Sequence, residues 1–170
     1  MKNNFFKTVL IFLFLLTTNL LAKNLEINSS EVKLDKKDSK IVFKGNIKAV
    51  DENKNTLIAD EAHYYKKDDL LNSIGTTTII TSENYRFESS NVTFDNKNKI
   101  IKSDFPTKIL DKDGNVIIVN MFNYNSIKNI LFSKGDIQLK DKNKNLYKFN
   151  QIYIDEKKKK VIGSDAKIYF

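Results

Sequence analysis

A thirty-residue repeat is the feature of this sequence that most constrains its fold. Gly45, Gly75 and Gly135, three of its five glycines, are separated by multiples of thirty residues, and the residues around them keep the same spacing. Each thirty-residue row contains two short patterned segments with polar turns between them. Because internal periodicity is the mark of repeat architectures, the chain is expected to fold as stacked copies of one small unit.

The first segment of each row has the pattern apolar-x-small-x-x-apolar-x-aromatic. It stands at 57–64, 87–94, 117–124 and 147–154, with a weaker copy at 27–34. The pattern changes phase in its middle, so its two halves would point to opposite faces of a flat strand. A bulge or corner at that point would return the apolar side chains to one face.

The second segment alternates apolar and polar residues with a period of two. It stands at 41–49, 71–79, 101–109, 131–139 and 162–170, where the last copy is displaced because EKKKK is expected to lengthen its turn by one residue. Such alternation, rich in Ile, Val, Thr and aromatic residues, predicts half-buried strands. The repeated glycines are expected where these strands bend or where another backbone packs close to them.

Polar turns stand in phase with both segments. DENKN, DKDGN and DKNKN recur at the same place in their rows, and Asp, Asn and Gly favour tight turns. Strands joined by such short turns are mostly antiparallel. The sequence therefore predicts an all-β protein, an elongated antiparallel β-jelly roll or sandwich built from about five thirty-residue, two-strand repeats.

The first 22 residues have the layout of a secretory signal peptide. Lys2 and Lys7 precede an apolar run at 9–16 that is short for a membrane span. We accordingly divide the sequence into a signal peptide at 1–22 and one β-domain at 23–170. An uncleaved inner-membrane anchor is the alternative interpretation of the same segment.

No catalytic constellation stands out in the sequence, so the chain is not expected to be an enzyme. It has no cysteine, and its one histidine, His63, is expected to point away from the core. We predict no cofactor and no metal site, because the segment at 111–115 lacks the glycine and glutamate spacing of a calcium loop. The formal net charge is +8, but Arg86 is the one arginine. Scarce arginine argues against nucleic acid as a partner.

The stretch FKGNIKAVDENKNTLIADEAHYY, at 43–65, resembles the lipopolysaccharide-transport periplasmic family. This family has an LptA/OstA-like domain that is shared with the N-terminal domain of LptD and with LptC. The resemblance extends over roughly 25–170. It implies a periplasmic β-jelly roll, in some members associated with the outer membrane, that joins other jelly-roll proteins end to end into a bridge between membranes. The acyl chains of lipopolysaccharide move along its apolar groove.

The resemblance also implies partners and a site. Unpaired strands at the two ends would pair with other domains of the bridge, or with a second copy in a head-to-tail homo-oligomer. Apolar residues of the repeat would line the groove, and lysines at its mouth would meet the phosphates of lipopolysaccharide. The residues predicted to line the groove are Phe43, Ile47, Leu57, Phe94, Ile109, Phe122, Leu139 and Phe149.

Other interpretations stay open at this point. The apolar end of the sequence, KIYF, is compatible with the N-terminal periplasmic domain of an LptD-like outer-membrane assembly protein. An uncleaved signal would suit an anchored LptC-like protein. A structural β-repeat scaffold with a dry core and no lipid would have the same periodicity, and the eight predicted lining residues would then be ordinary core.

Overall fold

The computed structural model describes residues 25–169, and all of its regular structure is antiparallel β-sheet. The predicted signal peptide at 1–22 lies outside the described residues. None of the described residues belongs to a helix long and apolar enough to cross a membrane. The predicted all-β, antiparallel fold class is therefore confirmed.

Fifteen strands form one continuous sheet within the described range. Their bounds are β1 (Glu26–Asn28), β2 (Glu31–Asp35), β3 (Lys40–Val50), β4 (Thr56–Tyr65), β5 (Leu70–Ile80), β6 (Arg86–Ser90), β7 (Thr93–Asp95), β8 (Ile100–Ser103), β9 (Thr107–Leu110), β10 (Val116–Val119), β11 (Phe122–Asn125), β12 (Ile130–Lys140), β13 (Leu146–Asp155), β14 (Lys160–Ser164) and β15 (Lys167–Tyr169).

The chain crosses the molecule up and down many times, and we call each crossing a pass. Each pass pairs with the pass before it and the pass after it. Some passes are single long strands, such as β3, β4, β5, β12 and β13, whereas the others are divided into two short strands, such as β6 with β7. Both halves of a divided pass pair with the same long neighbour, since β6 and β7 both pair with β5. Short turns between successive passes thus give a purely antiparallel meander.

Every pass bends near its midpoint, where the sequence predicts a bulge or corner. Gly45, Gly75 and Gly135 have φ values of 70°, 76° and 101°, a left-handed region that glycine enters without steric cost. The pairing of β3 with β4 shifts register between Lys44 and Ile47, beside the first of these glycines. The repeated glycines therefore mark strand bends, as the sequence predicts.

The bends divide the sheet into two half-sheets that pack face to face. The first half-sheet contains β1, β6, β9, β10 and β15, and the second contains β2, β7, β8, β11 and β14, with the long strands crossing from one to the other. Phe87 of the first half-sheet lies 5.0 Å from Phe122 and 5.9 Å from Tyr124 of the second, between ring centroids. The molecule is therefore a folded-over β-sandwich with an aromatic core.

Small hydroxyl residues occupy the inside of the corner. The Ser73 and Thr77 hydroxyls lie 2.7 Å apart, Ser89 and Thr107 lie 2.8 Å apart, and the Ser133 hydroxyl donates to the Met121 carbonyl. All of these except the partly buried Met121 are buried, so the hydroxyls satisfy polar groups of the bent backbone and of one another. These small residues therefore build the corner.

The register of the last pass differs from the expected one. Val161 lies opposite Ile154, and Ile168 lies opposite Tyr147, so Ile162 faces outward and is 53% exposed. The expected displacement at EKKKK is wrong, because this turn has the same four residues as the equivalent earlier turns. The change of spacing falls instead at the corner between β14 and β15, which has two residues where the equivalent corner between β8 and β9 has three.

Candidate functional site

The interior between the two half-sheets is the candidate site that the sequence indicates. The structure places six of the eight predicted lining residues inside it, each 8% exposed or less, and all six belong to one buried cluster. These six are Phe43, Ile47, Leu57, Phe94, Ile109 and Phe122. Leu139 and Phe149 are partly buried and pack against the cluster from its C-terminal end. Contact of these residues with lipid stays a prediction.

At the C-terminal end the interior opens into a cavity. Its volume is about 410 Å³, within the range of pockets that hold small organic ligands. Leu139 and Phe149 line it, so two of the eight predicted residues stand at an opening. The complete lining is Asn115, Leu139, Asp141, Tyr147, Phe149, Val161, Gly163 and Ile168.

Close packing of Phe149 against Gly163 shapes this opening. A Cβ atom added at Gly163 would overlap the Phe149 ring. Glycine at this position therefore lets the aromatic ring lie flat against β14. Phe149 also lines a second cavity of about 380 Å³.

Polar groups surround the apolar opening. The Tyr147 hydroxyl donates to Asp141 Oδ2 at 3.2 Å, and Asn145 Nδ2 donates to the same oxygen at 2.9 Å. Burial alone would raise the pKa of Asp141, but the hydrogen bonds, those from Asn145 first, hold it below its ordinary value. The Asp141 carboxylate is therefore kept ionised at the rim of the first cavity.

Two lysines stand at the second cavity. Lys148 and Lys167 lie directly opposite each other on neighbouring strands and both line this space. The Lys148 ammonium group is also 5.4 Å from the centroid of the Tyr169 ring, a distance at which a cation and an aromatic face attract. Like charges placed opposite each other are unfavourable in a sheet, and Asp136 and Asp165 in the same lining offset part of this positive charge.

Both ends of the sandwich leave inner-face apolar side chains uncovered. At the N-terminal end, Val32 and Leu34 of β2 are 62% and 61% exposed, although they lie opposite inward-facing residues of β3. At the C-terminal end, Val161 and Ile168 are 47% and 50% exposed. Within the described range, β2 pairs with β3 alone, and β14 and β15 pair with β13 alone. Each end thus combines an apolar surface with an unpaired backbone edge.

Opposite the corner, polar contacts between turns close the sandwich along a line that we call the seam. There Lys99 forms an ion pair with Glu52 at 3.0 Å, and Asn129 Nδ2 donates to Ser82 Oγ at 2.9 Å. These contacts join turns of the second half-sheet to turns of the first. They restrict access to the interior from this side.

The seam contains a buried carboxyl group that the sequence interpretation missed. Glu156 is 1% exposed, although its place in EKKKK suggests a solvated turn. Its Oε2 accepts hydrogen bonds from the Tyr124 hydroxyl at 2.9 Å and the Thr81 hydroxyl at 3.2 Å. The strand alternation could have located it, since it stands two residues after the inward-facing Ile154.

Burial has a large effect on the acid–base behaviour of this group. Loss of solvation raises the pKa of Glu156 from 4.5 to about 7, while the hydrogen bonds from Tyr124 and Thr81 lower it and the charge of Glu83 raises it. Burial, followed by the negative charge of Glu156, also raises the pKa of Tyr124 above its ordinary value. Glu156 therefore changes charge near neutral pH.

The histidine and the acidic side chains are the remaining candidates for a metal site within the described range. Among residues 25–169, no group of three or more His, Asp or Glu side chains is placed to hold a metal ion. His63 lies on the outer face of β4, where its Nε2 is 3.3 Å from Glu61 Oε1. This pair belongs to the outer surface of the second half-sheet and does not approach the interior.

Comparison with known proteins gives structural likenesses. No protein-family model matches the chain, and no curated protein matches it. Among solved structures, a similar chain is that of LptH from Pseudomonas aeruginosa, described as the LptA-homologous periplasmic component of the conserved lipopolysaccharide transport device. The two share 11% sequence identity with a TM-score of 0.36, over 87% of this chain and 95% of that chain.

Proposed function

We propose that this protein is a periplasmic lipopolysaccharide-transport module that shelters acyl chains in its apolar interior and joins similar domains end to end. The observation that carries the proposal is the exposure of inner-face apolar side chains at both ends, each beside an unpaired strand edge. An interior that continues to the surface at two ends suits passage from one domain to the next. The residue pattern at 43–65 supports lipopolysaccharide as the amphiphile.

Acyl chains would enter at the C-terminal end, where Leu139 and Phe149 border the open cavity. Burial of each methylene there stabilises the complex by about 0.8 kcal/mol. Lys148 and Lys167 line the second cavity, which shares Phe149 with the first, and would bind the phosphates of the headgroup as point charges. Further entry requires the half-sheets to move apart, since the rest of the interior is filled by side chains.

Site-specific photo-crosslinking tests this proposal. A photoreactive amino acid placed at Leu139 or Phe149 is expected to form adducts with lipopolysaccharide in Gram-negative cells. Ile118 is a matched control, because it is apolar and 42% exposed but stands on the outer face of β10. Equal labelling at the opening and at Ile118, or no labelling at the opening in a folded protein, would contradict lipid transport.

End-to-end assembly has its own test. The edge of β2 in one copy is proposed to pair with the β14–β15 edge of another domain, burying Val32 and Leu34. Replacing both with aspartate would place charges in that contact, so we expect the variant to sediment as a smaller species than the unaltered protein. Ile58→Asp on the outer face is the control that should leave association unchanged.

The proposed location also has a direct test. The signal peptide at 1–22 is proposed to be removed on export, leaving the domain at 23–170 in the periplasm. N-terminal sequencing of the protein from periplasmic and membrane fractions distinguishes a cleaved signal from an inner-membrane anchor.

A structural scaffold without lipid is the second candidate. It is favoured by the burial of six predicted lining residues, each at most 8% exposed, in one packed cluster. A scaffold would keep this core closed in cells. It therefore predicts end-to-end association together with no lipid adducts at Leu139 and Phe149.

A further inference from the structure

Glu156 is placed where the two half-sheets meet. It follows the last residue of β13 in the second half-sheet, and it accepts a hydrogen bond from Thr81, which follows β5 in the first half-sheet. Its backbone N–H donates to the Asn129 carbonyl at 3.0 Å, and Asn129 in turn donates to Ser82 across the seam. Glu156 thus links its own turn to the turn after β5 through its side chain and to the turn after β11 through its backbone.

The repeat is altered at the turn that faces this carboxyl. At the equivalent position of three other turns stand Asp51, Asp111 and Asp141, each accepting hydrogen bonds from the asparagine four residues later. Thr81 takes that position in the turn facing Glu156, and its hydroxyl can donate to the carboxyl where an aspartate would repel it. Threonine in place of aspartate at this position of the repeat therefore allows the Glu156 carboxyl group to be buried beside the turn.

Among the residues that the structure describes, no cation pairs with Glu156. The titratable groups that face it are Tyr124 of β11, with Tyr85 and Glu83 of the turn after β5. No ion pair involving Glu156 occurs within residues 25–169. Its Oε1 is buried without a hydrogen-bond partner among those residues. An ionised carboxylate in such surroundings is destabilised relative to one in water.

We propose that Glu156 is a proton-dependent latch of the seam, which holds the half-sheets together when protonated and releases them when ionised. The ionised group gains hydration when the turn after β5 moves away from the end of β13. This motion uncovers the interior from the side, and on the proposed transport function it gives an amphiphile a lateral route to the core. Rising pH opens this route and falling pH closes it.

Hydrogen exchange of the seam amides tests the latch without any lipid. The exchange of amides in the segments 81–85 and 126–129 is measured from pH 5 to pH 8 in the unaltered protein and in Glu156→Gln, so that the intrinsic pH effect cancels in their ratio. Glutamine keeps an acceptor for Tyr124 and Thr81 but cannot ionise. A pKa of 4.5 when open and about 7 when closed predicts that the ratio grows roughly 10- to 100-fold over this range.

A control and a second variant make the result decisive. Glu52→Gln removes the other seam carboxylate, which is paired with Lys99, and should not abolish the pH dependence. Glu156→Met also lacks the carboxyl group but has a different side chain. If one of the two variants fails to fold, the other can still be compared with the unaltered protein. A ratio that stays constant from pH 5 to pH 8 in both variants overturns the latch.

Crosslinking to lipopolysaccharide at Leu139 and Phe149, repeated at pH 5.5 and pH 7.5, separates the latch from the transport function. A pH-dependent seam without adducts at either pH supports the latch and contradicts transport. Adducts together with a pH-independent seam support transport and contradict the latch.

Discussion

Replacing Glu156 with glutamine is expected to change how the stability of the whole protein depends on pH. The carboxyl has a pKa of about 7 when folded and 4.5 as its ordinary value. The folded state therefore holds a proton that the unfolded state has lost between these two values. The contribution of Glu156 to the free energy of unfolding is therefore fully present below about pH 4.5. It falls as pH rises and reaches its lower limit above about pH 7.

The size of the effect follows from the difference between the two pKa values. A difference of one unit corresponds to about 1.4 kcal/mol, so the shift from 4.5 to about 7 corresponds to a loss of about 3 kcal/mol between pH 4.5 and pH 8. Glu156→Gln carries no titrating group and escapes this loss. The variant should therefore be of similar or lower stability near pH 4.5 and clearly more stable, relative to the unaltered protein, at pH 8.

Urea unfolding followed by circular dichroism, at half-unit intervals from pH 4.5 to pH 8, measures this difference. Subtracting the two unfolding free energies at each pH cancels the titration of all other groups that the substitution leaves unaltered. The dependence of the unfolding free energy on urea concentration should be the same in both proteins. A difference that is constant with pH, or that moves in favour of the unaltered protein as pH rises, would refute a buried carboxyl without a cation.

Three substitutions test the packing on which the candidate site depends, each through the midpoint of urea unfolding. Phe87→Ala should cost about 3–5 kcal/mol, because this fully buried ring packs on Phe122 across the two half-sheets. Gly163→Ala should cost about 1–3 kcal/mol through overlap with Phe149, and Phe149→Leu in the same chain should recover part of that loss. Gly75→Ala should cost roughly 1 kcal/mol through its φ of 76° alone, because no atom stands near the added methyl group.

The strands and corners could be predicted from the sequence because they depend on local periodicity. Alternation along 71–79 follows from the two-residue period of a strand, and the glycine within it has the backbone conformation that a bend requires. The phase change within 57–64 likewise matches the register shift after Ala59. These features depend on residues that are adjacent in the sequence, and the repeat gives several independent copies of each.

The parts that could not be predicted depend on contacts between distant passes. Whether Phe94 or Ile109 lines an open groove depends on the separation of the two half-sheets, which no spacing within a strand encodes. The burial of Glu156 depends on Thr81 in a turn 75 residues earlier. In the last pass, the change of register arises at a corner that is one residue shorter and not at the lysine-rich turn. The register predicted for Ile162 is therefore wrong.

The stacking that builds the core also explains why its ends differ from its middle. A central strand such as β6 has paired strands on both sides and a facing half-sheet, so Phe87 is fully buried. β14 has a partner on one side, and every one of its residues is exposed although Val161 points inward. Each added pass would cover the apolar face of the one before and expose its own. A meander of this kind can close its interior only by gaining another apolar strand surface, which is the physical reason why a second domain or an amphiphile fits its ends.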